Sequence, residues 1–150
     1  MTSSDPRVPP VESVTLSARL SSLADAASFA QSFCDRHAID RERALRLRLV
    51  IEELFTNSIQ HGYRVESDAP IDIALALVDE DAMELRYEDA APRYDPRPRL
   101  STPPAALTST VGERPVGGLG VHLVGQLASA VRYDYQDGRN RLRLNIARPK

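Results

Sequence analysis

The sequence predicts a single two-layer α/β sandwich of the α+β class, with one mixed β-sheet and helices on one of its faces. The first observation is the order of hydrophobic patterns, which runs strand, two helices, two strands, a patternless segment, a helix and two strands. The second is size, since 150 residues suit one domain with one core. The third is composition, because 42% hydrophobic and 27% charged residues are typical of a globular protein. Amphipathic helices in such a chain bury their apolar stripes against the sheet.

The N-terminal part is predicted to contain a tail, a strand and a helix. Residues 1–11 lack periodicity, and we expect a disordered tail there, followed by one domain over 12–150. The first helix can be capped by Ser21 or Ser22 and is expected to end near His37. The strand before it is indicated by alternating apolar residues, which are Val14, Leu16, Ala18 and Leu20.

A second helix carries the most informative feature of the chain. Its N-cap is predicted at Asp40 and its end at Gly62, a residue suited to the end of a helix. Its sequence is apolar enough for burial, but Glu53, Asn57 and His61 follow one another at i, i+4 and i+8. Polar groups on a buried helix need partners, so this polar line indicates a binding or catalytic site.

The C-terminal part is predicted to form two hairpins separated by a long gap. Residues 97–116 are rich in Pro, Ser and Thr without a hydrophobic pattern, and we expect this gap to be a lid. The other predicted elements are strands over 71–77 and 83–87 with a turn at 79–81, a helix over 118–130, and strands over 131–135 and 141–147 with a turn at Asp137 and Gly138.

Composition and charge exclude several classes of protein. The net charge of −2 and the pI near 5.9 argue against a nucleic-acid partner, which usually selects a basic face. Cys34 is the only cysteine, so an internal disulfide and a cysteine-based zinc cluster are excluded, and its apolar neighbours predict a buried thiol. No run of about 18 apolar residues is present. We therefore expect a cytoplasmic protein without a membrane span.

Two segments downstream of the polar line contain further candidate site residues. Asp89 continues the alternation of inward-facing residues in the strand before it, so its carboxylate is expected at the strand end on the core face. Gly117, Gly118 and Gly120 open a predicted helix, where backbone N–H groups and the helix dipole favour an anion such as phosphate. A tight turn or close helix packing would also explain these glycines.

Residues 51–63, 88–96 and 116–123 together resemble a known family. Their order and spacing are similar to the N box, G1 box and G2 box of the GHKL (HATPase-like) ATPase superfamily. Within it, the chain resembles the small anti-sigma-factor serine/threonine protein kinases of the RsbW type, over roughly residues 12–148. This resemblance implies the Bergerat ATP-binding fold, with ATP and Mg²⁺ as cofactors.

The resemblance also implies roles for individual residues. Asn57 would hold Mg²⁺, for which an amide oxygen is a suitable hard ligand. Glu53, one turn earlier, would accept a proton from the attacking hydroxyl as the general base. His61 either approaches the phosphates or supports the helix end. Asp89 would accept a hydrogen bond from the amine of adenine, which would reject guanine because its carbonyl would face another acceptor.

Further contacts with the cofactor are implied beyond Asp89. The family has a glycine where this chain has Ala91, and we expect a cost of about 1 kcal/mol if the position needs a positive φ or a close approach to the base. Arg114 is either a phosphate ligand or a solvated side chain, and Lys150, the only lysine, leaves such roles to arginine. The remaining implied contacts are Gly117, Gly118, Leu119, Gly120 and Val121.

The resemblance implies a kinase of a bacterial partner-switching system. Such a protein phosphorylates a serine of a STAS-domain anti-anti-sigma partner and sequesters a sigma factor or a similar regulatory target, and it acts as a homodimer. An alternative from another class is a nucleotide-gated protein-binding regulator without kinase activity. A third interpretation is a domain that uses the same fold without a nucleotide.

Overall fold

The computed structural model describes residues 11–79, 82–95 and 127–147. A short 3-10 turn, Leu20–Ser22, precedes the first helix, and a π-helical turn, Ser58–Tyr63, continues the second. The tail predicted at 1–11, apart from Val11, the lid predicted at 97–116 and most of the predicted helix at 118–130 lie outside the described residues. The helices are α1 Leu23–Arg36 and α2 Arg41–Asn57, and the strands are β1 Glu12–Ser17, β2 Pro70–Leu77, β3 Ala82–Asp89, β4 Ser129–Gln136 and β5 Arg139–Ala147.

The five described strands form one sheet in the order β1-β2-β3-β5-β4. Every neighbouring pair runs antiparallel, so the prediction of a mixed sheet is wrong for this part of the chain. β3 and β4 do point the same way, as a crossover between them would require, but β5 lies between them. β3 and β4 therefore do not pair with each other in parallel, and each pairs antiparallel with β5 instead.

Both helices pack on one face of the sheet, which confirms the predicted two-layer α/β sandwich. Buried residues alternate with less buried ones along β3 and most of β2, as the period of two requires. The fully buried side chains of the core include Phe33, Leu47, Ile51 and Phe55 from the helices and Ile71, Ile73, Leu75, Met83, Leu85, Leu144 and Ile146 from the strands. Cys34 belongs to the same core, and burial raises the pKa of its thiol to about 11.

The starts of the two helices differ in how they are capped. The Asp40 carboxylate accepts a hydrogen bond from the Arg43 amide at 3.1 Å and another from the Arg43 side chain, which confirms the predicted N-cap of α2. The predicted cap of α1 is wrong, because Ser22 makes no side-chain cap and the 3-10 turn leads into the helix instead. β1 also ends earlier than predicted, since Ala18 pairs its backbone with Ser67 and Ala69.

The end of α2 departs from the prediction in a way that shapes the site. The left-handed residue is Arg64, with φ of 64°, rather than Gly62. Gly62 lies inside the π-helical turn, where a Cβ built on it would lie 3.0 Å from the Cβ of Ala91. Glycine is therefore needed at 62 for the close approach of the segment after β3, not for a helix stop.

The start of β4 also corrects the predicted helix over 118–130. Ser129 and Ala130 belong to the strand, which begins two residues before the predicted Val131. A bulge lies between Ser129 and Arg132, and Ala130 has a φ of 52°. An irregular strand start of this kind has no alternating pattern, so sequence periodicity could not locate it.

Candidate functional site

The polar line of the second helix is regular only as far as Asn57. Asn57 ends α2 and is buried, while Glu53 lies one helical turn earlier and is half-buried. His61 lies in the π-helical turn and is exposed. Because this turn is wider than an α-helical one, the i, i+4 spacing does not continue the line to His61. The structure thus keeps Glu53 and Asn57 on one face and sets His61 apart.

Asn57 presents an unusual polar atom. Its side-chain oxygen Oδ1 is buried and has no hydrogen-bond partner among the described residues. A buried acceptor that stays without a partner costs about 1–3 kcal/mol, so this oxygen is available to a water molecule or a ligand that supplies the missing interaction. A neutral amide oxygen is a ligand that Mg²⁺ accepts together with phosphate oxygens and water. No group of three or more His, Cys, Asp or Glu side chains in the described ranges could hold a metal without such help.

Glu53 has the properties of a carboxylate that can take up a proton. Burial, and to a lesser degree the negative charge of Glu52, raises the pKa of the Glu53 carboxyl. Within the described part of the chain it makes no hydrogen bond or ion pair. Glu52, in contrast, faces the surface and lies 3.8 Å from Arg48 in an ion pair. The two adjacent carboxylates therefore have different surroundings, as their separation by about 100° around the helix predicts.

Asp89, the last residue of β3, is buried on the core face as its parity predicts. Its Oδ2 accepts a hydrogen bond from the Ser58 hydroxyl at 2.7 Å. Its Oδ1 accepts one from the Asn140 amide at 2.9 Å and one from the backbone N–H of Ala91 at 3.1 Å. These donors fix the orientation of the carboxylate. A carboxylate has about four acceptor positions, so one is left for a ligand.

A pair of buried hydroxyls connects the end of α2 to β3. The Tyr87 hydroxyl donates to the backbone carbonyl of Leu54 at 2.9 Å, and its oxygen lies 2.7 Å from the Ser58 hydroxyl. Burial raises the pKa of Tyr87 well above its ordinary value, so the phenol stays protonated and can donate. Since Ser58 follows Asn57 directly and also contacts Asp89, these bonds set the two candidate ligand groups relative to each other.

Asn140 holds the segment that follows β3. Besides Asp89, its amide nitrogen lies 3.0 Å from the Ala91 carbonyl and 3.1 Å from the Pro92 carbonyl. Its Oδ1 accepts hydrogen bonds from the Tyr94 amide at 2.8 Å and from the Tyr133 hydroxyl at 2.6 Å. One side chain of β5 thus joins β3, β4 and the segment after β3.

Of the two possible causes of a cost at Ala91, a positive φ and a close approach, the structure shows only the close approach. Ala91 is not among the described residues with positive φ, so the expected backbone strain is absent. The close approach is present, because the methyl group packs against Gly62. The extra methyl is therefore accommodated within the protein, at a position where residue 62 has no side chain.

Sequence reasoning missed part of this site, and part of the prediction has no counterpart in the described residues. Ser58, Tyr87 and Asn140 carry most of the hydrogen bonds to Asp89 or its surroundings, and only the inward parity of Tyr87 and the turn before Asn140 pointed to them. Arg114, Gly117, Gly118, Leu119, Gly120 and Val121 lie outside the described residues.

A comparison with protein families agrees with this arrangement. The profile of the histidine kinase-like ATPase domain matches residues 16–146. The chain belongs to the histidine kinase-like ATPase domain family. The two-layer fold described above agrees with that assignment.

Curated relatives of this histidine kinase-like ATPase domain include the serine-protein kinase RsbW of two Listeria species. The protein from Listeria monocytogenes serotype 4a (strain HCC23) is 29% identical over 93 residues, and that from Listeria innocua serovar 6a (strain ATCC BAA-680 / CLIP 11262) is 28% identical over 93 residues. Each match covers 61% of this chain and 59% of the relative. The chain therefore spans about three-fifths of the length of these relatives.

Two solved structures have the same fold. The SiaB–SiaC complex of Pseudomonas aeruginosa matches with a TM-score of 0.65 and 15% identity, over 90% of this chain and 88% of that one. The RsbU and RsbW domains of Rv1364c from Mycobacterium tuberculosis match with a TM-score of 0.63 and 17% identity, over 93% of this chain and 33% of that one. Among the described helices, none combines the length and the apolar composition needed to cross a membrane.

Proposed function

We infer that this domain is a Mg-ATP-dependent serine/threonine protein kinase and anti-sigma factor of a bacterial partner-switching system. Its substrate would be a serine of a STAS-domain anti-anti-sigma partner, and its target a sigma factor or a similar regulator. The observation that carries the proposal is the orphaned Asn57 oxygen, which the buried network of Ser58 and Asp89 adjoins. The similarity to serine-protein kinases named RsbW supports the reaction class.

Asp89 and Asn57 would bind and orient the nucleotide and its Mg²⁺. The remaining acceptor position of Asp89 would take the amine of adenine and exclude guanine, because two acceptors would then face each other. Asn57 would complete the coordination of Mg²⁺, which supplies charge neutralisation at the phosphates. Ser58, Ala91 and Asn140 keep the Asp89 carboxylate in one orientation before the nucleotide arrives.

Glu53 would accept the proton that the serine hydroxyl loses when its oxygen attacks the terminal phosphate. A raised pKa improves a carboxylate as a base, provided that it is still ionised at the working pH. Phosphoryl transfer depends mainly on positioning and electrostatics, so a single well-placed carboxylate is a sufficient contribution from this helix.

Calorimetric titration of Mg-ATP into the wild type and Asn57→Ala tests the nucleotide site, with GTP as the control ligand. We expect saturable ATP binding by the wild type, none by the variant and none for GTP. The unliganded variant should fold normally, since the orphaned Asn57 oxygen contributes no bond within the described residues. Equal ATP binding by wild type and variant would exclude Asn57 as a ligand.

A nucleotide-gated protein-binding regulator without kinase activity is the second candidate. It is favoured by one observation, that no described hydrogen bond or ion pair orients Glu53 as a base. Transfer of radiolabelled phosphate from ATP to a STAS-domain partner distinguishes the two. Transfer by the wild type and its loss in Glu53→Gln support the kinase, whereas ATP binding without transfer supports the regulator.

The proposal extends to a cytoplasmic homodimer that contacts neither nucleic acid nor membrane. The family resemblance is the support for the dimer. Sedimentation equilibrium at high protein concentration tests it, with a mass of twice 16.6 kDa expected. A mass of 16.6 kDa at every concentration would contradict it.

A further inference from the structure

The outer face of the sheet, opposite the helices, carries three arginines in one row. Arg86 on β3 is directly opposite Arg143 on β5, and Arg143 is directly opposite Arg132 on β4. Neighbouring strands lie about 4.8 Å apart, so the three side chains leave adjacent positions on the same face. Like charges opposite each other destabilise a sheet. This arginine row is therefore unfavourable for the fold by itself, which is a reason to look for an external ligand.

Among the described residues, the carboxylates of this face neutralise only one arginine of the row, since Glu84 pairs with Arg86 and leaves Arg132 and Arg143. The side chains of Arg132 and Arg143 are exposed and form neither a hydrogen bond nor an ion pair with any residue in the described ranges. Arg143 only contributes to lowering the pKa of Asp134, and less than Arg141 does. The acidic residues of the face are already paired: Asp72 and Glu88 with Arg139, Asp134 with Arg141, and Glu84 with Arg86.

The chain itself has few carboxylates to offer from elsewhere. The two long segments outside the described residues, 1–10 and 96–126, contain only Asp5 and Glu113 as acidic residues. Residues 148–150 contain none. The two other acidic residues outside the described ranges, Glu80 and Asp81, are separated from Arg86 by at least four residues of β3. Arg86 is matched by Glu84, so the counterpart that remains to be found is that of Arg132 and Arg143, and it belongs to another molecule.

We propose that the arginine row binds an acidic helix of a partner protein. Glutamates or aspartates one turn apart on a helix are about 5–6 Å from each other, which matches the spacing of the strands. Two of them could form bidentate pairs with Arg132 and Arg143, and a third could share Arg86 with Glu84. Beyond Arg86 the row continues as Ala74 and Ser13, which line a hollow of about 250 Å³ together with Asp72 and Glu88, two carboxylates that pair with Arg139. A helix that crosses the strands along the row therefore meets only small side chains beyond Arg86.

A nucleic acid fits this face less well than an acidic helix does. A phosphate backbone is continuous, and beyond the row it would meet the carboxylates of Asp72, Glu88 and Asp134. The row is only three strands wide, which suits a short group of carboxylates.

A labelled, alanine-based helical peptide with three glutamates one turn apart is the probe. Fluorescence anisotropy with the full chain should show saturable binding at about 50 mM salt that weakens at about 300 mM. Replacing Arg132 and Arg143 together by Gln should weaken binding about tenfold, in line with two exposed ion pairs. The control variant replaces Arg41 and Arg64, two exposed arginines outside the sheet face without ion pairs among the described residues, and should change binding less than twofold.

The Tm of the variants separates a role of the row in binding from a role in holding the fold together. Since Arg143 opposes two like charges, Arg143→Gln should leave the Tm unchanged or raise it by about 1–3 °C while it weakens peptide binding. Asn57→Ala should bind the peptide like the wild type, which separates this proposal from the nucleotide site. The proposal is overturned if the wild type does not bind the peptide, if both double variants lose binding equally, or if a DNA duplex of equal charge binds through the row and the peptide does not.

Discussion

At the residue scale, Glu53 links burial to a pH dependence that stability measurements can detect. Its raised pKa means that the folded protein holds this proton more tightly than the unfolded chain, where the carboxyl keeps a pKa near 4.5. The stability from this difference is fully present below pH 4.5 and is lost as pH rises through the folded pKa. At pH about 7, ionised and half-buried Glu53 therefore lowers the free energy of unfolding.

Glu53→Gln should accordingly be more stable than the wild type at neutral pH, and the difference should vanish below pH 4.5. Urea unfolding at a series of pH values measures it. The control is Glu42→Gln on the same helix, which removes an exposed carboxylate 3.7 Å from Arg46 and should change stability by less than about 0.5 kcal/mol. A loss of stability in Glu53→Gln at pH about 7 would contradict the account.

Asn140 is the residue of the site with the most hydrogen bonds to separate parts of the chain. Asn140→Ala removes one of the three donors to the buried Asp89 carboxylate and the acceptor of the Tyr94 amide bond, so we expect the free energy of unfolding to fall by about 2 kcal/mol. ATP affinity should fall with it, because Asp89 loses one of the donors that orient it. Asn145→Ala is the control, since Asn145 lies on the outward face of the same strand. Chemical unfolding and calorimetry of both variants check this, and equal effects would show that Asn140 has no special role.

Spacing and parity predicted some of these residues and could not predict others. Glu53 and Asn57 were predictable because both lie on one helix, and the position of Asp89 followed from the alternation of its own strand. Asn140 lies 51 residues from Asp89 along the chain. Its role depends on which strands become neighbours, a property of the assembled sheet that no local pattern contains.

At the scale of elements, the contact between the π-helical turn and the segment after β3 controls the site. Gly62→Ala would place a Cβ 3.0 Å from the Cβ of Ala91 and 3.8 Å from Oδ2 of Asp89. Such crowding costs about 1–3 kcal/mol and should displace Asp89, which weakens nucleotide binding. Ala91→Gly in the same molecule removes the opposing methyl, so the double variant should recover most of both losses.

Gly138→Ala is the control for this exchange. Gly138 has a φ of +75° and no atom within 4 Å of a built Cβ, so its cost comes from the backbone and not from crowding. Ala91→Gly should not rescue it. Thermal unfolding and calorimetry of the wild type, the three single variants and the two double variants give the coupling. Additive effects of Gly62→Ala and Ala91→Gly would show that the two residues do not share this contact.

The π-helical turn also shows why the end of α2 was predicted wrongly. A glycine after a long helical pattern usually marks the stop, and Gly62 has that position in the sequence. The turn is held instead by tertiary contacts, since the Tyr63 hydroxyl donates to the Pro70 carbonyl at 2.6 Å and accepts from the Ala90 amide at 2.7 Å. Local sequence propensity contains no information about hydrogen-bond partners such as Pro70 and Ala90, which are distant from Tyr63 along the chain.

At the scale of the whole molecule, β5 brings distant segments to one end of the sheet. The hydrophobic patterns were sufficient to predict the layers and the helix face, but pairing order was not, because a strand next to β3 could be either member of the last hairpin. The observed order places Asn140 opposite Asp89. The candidate site therefore combines residues 53–62, 87–94 and 133–140, and a ligand there should stabilise all three segments together.

Hydrogen exchange measures this coupling directly. The Ala91 and Tyr94 amides donate to Asp89 and Asn140, respectively, so Mg-ATP at a hundredfold excess over Kd should slow their exchange by up to about 100-fold. The Ala18 amide, which donates to Ala69 beside β1 and β2, should change much less because its local opening does not involve the site. GTP should protect neither region. Protection of the Ala91 amide without protection of the Tyr94 amide would mean that β5 does not take part in nucleotide binding.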